Sequence, residues 1–362
     1  MSFSLGKKVN MEVSGASHSE AIEVTLTNLP AGEKIDLEKV NQFLDRRKGG
    51  KAAYTTARKE TDEPLIQCGM EGDTLTGGPL TAKFLNQNAR SKDYHTERKV
   101  PRPSHADYVA HVKYKGQLNM AGGGFFSGRM TLPMCFSGAV VMQLLEKMGI
   151  KIQAHIYSVM DIEDDHFDPV NDNVENVSME GLPVINKEKA ALMEELMQKT
   201  AAEGDSVGGI IECKITGVPI GLGDPIYDSL ESIISFGMFG IPAIKGIEFG
   251  QGFGVSRAKG SKSNDFFCIK DGEVKTITNN SGGIQGGISN GMPIIFRVAV
   301  KPTPSIYLPQ KSVDLTTMTE TTLQIEGRHD SCIVPRVVPC VEAMSALVIY
   351  DALVGEENEN IG

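Results

Sequence analysis

Glycine constrains this chain first: 39 of its 362 residues carry no side chain. At roughly 11%, against about 7% in average proteins, they imply many positions that need an unusual φ or a close approach of two backbones. They cluster at 121–124 (AGGG), 236–254 (FGMFGIPAIKGIEFGQGFG) and 281–287 (SGGIQGG). None of these matches G-x-G-x-x-G or G-x-x-x-x-G-K-[ST], so neither a standard dinucleotide fingerprint nor a Walker loop is present. Each cluster stays open to two readings. It can supply tight turns and close strand packing, or it can let backbone N–H groups approach a phosphate or a flat ring.

The 46 acidic residues outnumber the 36 basic ones, for a formal charge of −10. That balance argues against general affinity for nucleic acid or an anionic membrane. No run of about 18 uncharged apolar residues occurs, and no apolar stretch follows the N-terminal lysines before Glu20, so a cytoplasmic location is expected. Six scattered cysteines without a C-x-x-C pair read as reduced thiols. Neither H-E-x-x-H nor G-x-S-x-G occurs, so zinc hydrolysis and Ser-His-Asp chemistry drop out and no metal is expected.

Apolar periodicity predicts a strand at 21–27, a turn around Pro30 and Gly32, and a helix capped by Asp36 with Leu37, Val40, Phe43 and Leu44 on one face. Further helices are expected near 139–148, 187–202 and 338–353, and strands near 151–158, 209–216 and 293–300. Strands and helices do not alternate, which points to an α+β fold rather than a doubly wound sheet. The acidic stretch 161–180 reads as a surface connection. Residues 1–355 are expected to form a single domain, and 356–362 a frayed tail.

Six cations (Arg46, Arg47, Lys48, Lys51, Arg58 and Lys59) lie between Asp45 and Glu60 with no acid among them. Arginine forks hold carboxylate or phosphate through paired bonds, so the run suits an anionic ligand; a solvated loop is the other reading. His18 (SGASHS) and His105 (RPSHADY) sit where backbone geometry is restricted, and either can move a proton near neutral pH or satisfy a local hydrogen bond. His329 lies between Arg328 and Asp330, a carboxylate that can form an ion pair or relay a proton.

Nine ordered segments, SGASHSEAI, DRRKGGKAAYTTARKETDE, NARSKDY, RPSHADY, GGGFFSGRMT, EGDSVGG, SGGIQGGISNG, KPTPSI and GRHDSCIVPRVVPCVEAM, together resemble the chorismate synthase family. The resemblance implies an α+β sandwich of helices and sheets with an internal pseudo-twofold, and a homotetramer. It also implies a lyase that converts 5-enolpyruvylshikimate 3-phosphate to chorismate by 1,4-elimination. Reduced FMN would be its cofactor, with NADPH acting only indirectly through a separate flavin reductase. On the same basis His18 would serve the leaving phosphate, His105 the reduced flavin, and Asp330 the region where the ring proton goes. Flavin would be held by Phe125, Phe126, Ser127, Ala243, Gly286, Lys301, Pro302, Thr303, Pro304, Ser305 and Arg328. The substrate's two carboxylates and phosphate would meet Arg46, Arg47, Lys51, Arg129 and Arg336.

The chain departs from the family pattern at Ala16 and Ser19 around the first histidine, at Ala53, and at Phe125 and Phe126, where one family arginine is missing. Phe125 or Phe126 would then stack on flavin or substrate in place of a charge contact. These departures keep two further readings open: a diverged paralogue acting on another anionic substrate, and a weakly catalytic flavin-binding protein.

Overall fold

The structure is a computed structural model and describes residues 2–50, 61–86, 99–173, 177–178, 180–325 and 329–359. In chain order come β1 (Ser2–Leu5), β2 (Met11–Gly15), β3 (Ala21–Leu26), α1 (Leu37–Arg46), β4 (Leu65–Cys68), a short hairpin of β5 (Met70–Glu71) and β6 (Thr74–Leu75), and β7 (Leu80–Leu85). After α2 (Asp107–Lys113) and the long α3 (Thr131–Lys147), the chain continues through β8 (Lys151–Val159), β9 (Ile162–Glu163), α4 (Lys187–Ala202), β10 (Gly209–Thr216), α5 (Leu230–Phe239), β11 (Ile244–Phe249) and α6 (Gly260–Ser263). The hairpins β12–β13 (Phe267–Lys270, Glu273–Thr276) and β14–β15 (Ile284–Gln285, Ile288–Ser289) then lead to β16 (Ile294–Val300). The hairpin β17–β18 (Gln310–Asp314, Thr319–Leu323) and α7 (Val334–Glu359) follow.

Two antiparallel five-stranded sheets result, in the orders β1-β2-β3-β7-β4 and β11-β16-β10-β8-β9. Strict alternation along β3 sends Ile22, Val24 and Leu26 into the core, and β7 adds Leu80, Ala82 and Phe84. That face meets α3, where the Phe84 and Phe136 rings pack edge to face with centroids 5.7 Å apart. On the second sheet Ile211, Cys213 and Ile215 point to α7. The helices α3 and α7 therefore lie between the two sheets, and one continuous apolar core joins both layers.

Close helix packing depends on Gly138: a Cβ there would come 2.3 Å from the Ala343 Cα, so no larger residue fits this crossing. The span Val334–Gly355 is apolar enough to cross a membrane, at a mean hydropathy of 1.8, yet 83% of that window is buried inside the protein. It is the core helix.

Several sequence expectations hold to the residue. Asp36 caps α1 by accepting from the Glu38 and Lys39 N–H groups, and α4 spans the expected 187–202, capped by Asn186, to which the sequence reading gave no role. Others need correction. Helix α3 starts at Thr131, eight residues before the expected 139, and α7 starts at Val334 and stays helical through Glu359. Nor is 161–180 simply a surface connection. Asp164 and Phe167 are buried, and this segment covers the polar face of the second sheet.

Candidate active site

A cavity of about 540 Å³ opens where the 121–128 loop, the start of α2, the end of α5, the 301–305 segment and the start of α7 converge. That volume is in the range of small-molecule sites. Among the described residues its walls include four cations (Arg47, Arg102, Lys301 and Arg336) and a single carboxylate, Asp330.

Each charge is held from behind. Arg47 donates to Asp62 at 2.7 Å, and the other Asp62 oxygen accepts from Arg129 at 2.8 Å, with all three residues buried. Burial alone would raise the Asp62 pKa, but the Arg47 and Arg129 guanidinium groups outweigh it and hold the carboxyl below its ordinary value. Arg336 donates to Asp330 at 2.7 Å and to the Arg47 carbonyl at 2.9 Å, which ties its side chain to the Arg47 backbone. Lys301 donates to the Ser104 carbonyl at 2.6 Å. Burial, and then the nearby Lys245, lower its pKa.

His105 has a partner that the RPSHADY motif spells out. Its Nδ1 lies 2.7 Å from Asp107 Oδ1 and 3.0 Å from an Arg102 nitrogen. The shorter carboxylate contact favours a proton on Nδ1, donated to Asp107, while Arg102 satisfies itself on both Asp107 oxygens at 2.7 and 2.8 Å. Nε2 is then left facing Gly123, where an added Cβ would lie 3.8 Å away. Against the effect of burial, Arg102 and His105 hold the Asp107 carboxyl far below its usual range.

His18 stands one layer behind the cavity wall. A Cβ on Gly122, at φ +60°, would fall 1.8 Å from the His18 Cε1, so only glycine lets this turn lie on the imidazole. The departures Ala16 and Ser19 shape the same loop. Ser19 Oγ accepts from the Ala16 N–H at 2.9 Å and lies 2.5 Å from the Ala21 carbonyl. Asn86 donates to the Ser19 carbonyl at 2.7 Å while accepting from Arg129 at 2.6 Å, so the His18 loop is tied to the Asp62 cluster.

Of the remaining sequence candidates, Phe125, Phe126, Ser127, Ala243, Thr303, Pro304 and Ser305 line the cavity. Ala243 takes φ +77°, a strained value for a residue with a Cβ, and its carbonyl accepts from the Lys301 N–H at 3.0 Å. The Phe125 ring packs edge to face on Phe3 at 5.4 Å, so an aromatic contact holds it at the wall. Pro302 does not line the cavity; it packs close to Gly208 instead. Gly286, in the β14–β15 hairpin, is not brought to the cavity either.

Arg46 needs the clearest correction. Its fork is bound by Glu342 at 2.5 and 3.0 Å, and it borders a different, smaller cavity. Arg47 lines the larger cavity instead, so the two adjacent arginines border different cavities. Lys51, Ala53 and Arg328 lie outside the described residues. The sequence reading assigned no role to Asp62, Asn86, Arg102 or Asp107. Two of these, Arg102 and Asp107, bracket His105 in sequence and could have been proposed from that spacing.

Residues 9–354 match the family model described as chorismate synthase. A chorismate synthase of Thermococcus kodakarensis is 44% identical over 348 residues, covering 96% of each chain. One from Dehalococcoides mccartyi is 42% identical over 351 residues, covering 97% of this chain and 96% of its own. The chain belongs to the chorismate synthase family. A solved structure titled as a chorismate synthase superposes with a TM-score of 0.75 at 26% identity, over 97% of this chain and 93% of that one. Membership makes the chain a lyase that converts 5-enolpyruvylshikimate 3-phosphate to chorismate and phosphate, in aromatic amino acid biosynthesis.

Proposed function

We propose that the cavity walled by Arg47, His105, Thr303 and Arg336 is where this chorismate synthase reaction takes place, with reduced FMN and the enolpyruvyl phosphate held together. The observation that carries the reading is the excess of cations around a cavity of sufficient size. A trianionic substrate needs several positive partners held in place before it arrives. The residues also fit a flavin. Thr303 Oγ1 is buried with no hydrogen-bond partner among the described residues, and Gly122, Gly123 and Gly124 all take positive φ, leaving backbone unobstructed at the wall.

Bound reduced FMN supplies electron density that eases departure of the phosphate, without net redox change. The rest falls to the chain. Arg47 and Arg336 bind the anionic groups and stabilise charge as the C–O bond to phosphate breaks. His18, behind the Gly122 turn, serves the departing phosphate from there, as the family resemblance implies. His105, oriented by Asp107, holds or moves a proton at Nε2 beside the flavin, and Asp330 serves the region where the ring proton goes. Ser127, Ala243, Lys301, Pro304 and Ser305 position the cofactor, while Phe125 and Phe126 exclude water from it. The enzyme is further read as a cytoplasmic homotetramer that takes its reduced flavin from a separate NADPH-using reductase, with no nucleic acid or membrane partner.

Anaerobic incubation with dithionite-reduced FMN and 5-enolpyruvylshikimate 3-phosphate tests the proposal. Equal amounts of phosphate and chorismate are expected. Phosphate without chorismate would indicate a paralogue with another outcome, and flavin binding without turnover would indicate a weakly catalytic flavin-binding protein.

A further inference from the structure

Two thiols meet where α3 and α7 cross beside the cavity. Cys135 and Cys340 are both buried, and their sulfurs lie 3.7 Å apart. Their proximity follows from the tight crossing at Gly138 and Ala343, each one turn further along its helix. Cys340, itself 1% exposed, is also one of the residues that line the cavity, so the pair lies directly behind the cavity wall.

Cys340 donates to the Arg336 carbonyl at 3.4 Å, and two guanidinium groups stand nearby. The hydrogen bond from the Cys135 thiol, with Arg47 and Arg336 nearby, holds Cys340 below the usual thiol range against the opposing effect of burial. Elsewhere burial acts largely unopposed: it pushes the Cys332 thiol up to about 12 and raises Cys213 as well. Cys68 is exposed and donates to the Pro79 carbonyl at 3.3 Å. Among these thiols, Cys340 combines a place at the cavity wall, cationic neighbours and a second sulfur within reach.

We propose that Cys135 and Cys340 are a reversible oxidation site, at which hydrogen peroxide entering the cavity converts the two thiols to a disulfide linking α3 to α7. The Cys340 thiolate attacks one peroxide oxygen, the O–O bond breaks, and hydroxide leaves and is protonated to water. The Cys135 sulfur then displaces hydroxide from the Cys340 sulfenic acid, forming the S–S bond and a second water. The two thiols lose two electrons and two protons, and peroxide takes up both. The site stands whether or not flavin occupies the cavity.

The test uses the full chain treated with hydrogen peroxide, quenched with catalase, alkylated under denaturing conditions and mapped by mass spectrometry before and after dithiothreitol. Expected is a disulfide-linked pair of peptides carrying Cys135 and Cys340, with both residues losing alkylation and recovering it on reduction. In Cys135→Ala, dimedone should trap a sulfenic acid on Cys340, and Cys340→Ala should form no cross-link at all. Cys135 and Cys340 remaining fully alkylatable while Cys68 is oxidised would overturn the proposal, as would a disulfide between any other pair. Should either variant fail to fold, the peptide map of the unmodified chain decides alone.

Discussion

The protein buries two charge networks, and they are balanced differently. Around the cavity, Arg47, Arg102, Arg129, Lys301 and Arg336 face only Asp62, Asp107 and Asp330 among the described residues, so two positive charges are left over. On the outer face of the second sheet, the carboxylates Glu212, Asp164 and Glu248 meet one guanidinium, Arg297, and two imidazoles, His155 and His166. There every carboxylate has a guanidinium or imidazole partner within 3.4 Å. A balanced network needs nothing from outside and serves the fold, whereas an excess of one sign beside a cavity is stable only if an ion of the other sign or water completes it.

The sheet network shows how complete that internal balance is. His155 contacts Asp164 at 3.0 Å and Glu212 at 3.3 Å, one through each ring nitrogen, while Glu212 also accepts from the Phe167 N–H at 2.8 Å. Burial would lower the His155 pKa, but the bonds to Asp164 and Glu212 outweigh it and raise the value. Burial likewise opposes ionisation of Glu212, yet His155, His166 and the Phe167 amide bring it down to about 2.

Four changes would break or sharpen this contrast. The largest effect is expected from Arg47→Met, which removes a cation from the unbalanced network and leaves Asp62 with Arg129 alone. Steady-state assays should show kcat/KM falling by roughly a thousandfold, about 4 kcal/mol, in the range for breaking a buried charge contact. Glu212→Gln should act the other way round. The chain should lose about 3 kcal/mol in urea unfolding, from the gap between the ordinary 4.5 of Glu212 and its folded value of about 2, while turnover per folded molecule stays within twofold. Gly122→Ala should displace the His18 imidazole and lower kcat by roughly tenfold to a hundredfold, with KM changed far less.

The smallest effect is in pH. Glu212, with a lowered pKa, contributes stability that is present above about pH 4.5 and is lost as pH falls through about 2. His155, with a raised pKa, contributes stability that is present below 6.5 and is lost as pH rises through its folded value. The unfolding free energy of wild type minus that of Glu212→Gln should therefore be largest between about pH 4.5 and 6.5 and decline on both sides. A difference flat across the whole range would remove the charged description of this network.

How far these features could be read from the chain depends on whether the cause is local. The start of α1 was legible because Asp36 announces it, and Asn186 carries the same local signal before α4. The start of α3 was not, since a helix buried on nearly every side carries no apolar stripe to mark its extent. Pro339 hid the first turn of α7 in the same way, because a proline inside a pattern reads as a boundary. At the site, the cationic run and the histidine motifs pointed to the right region. Which of Arg46 and Arg47 faces the cavity was set by the distant partners Glu342 and Asp62, and nothing in the run itself encodes them.

The most direct test is the crystal structure of this chain with FMN and 5-enolpyruvylshikimate 3-phosphate bound together. It should show substrate phosphate or carboxylate oxygens within about 3 Å of the Arg47 or Arg336 guanidinium, and the flavin ring against His105 and Thr303. Both ligands bound away from these four residues, with the cavity holding only water, would contradict the account.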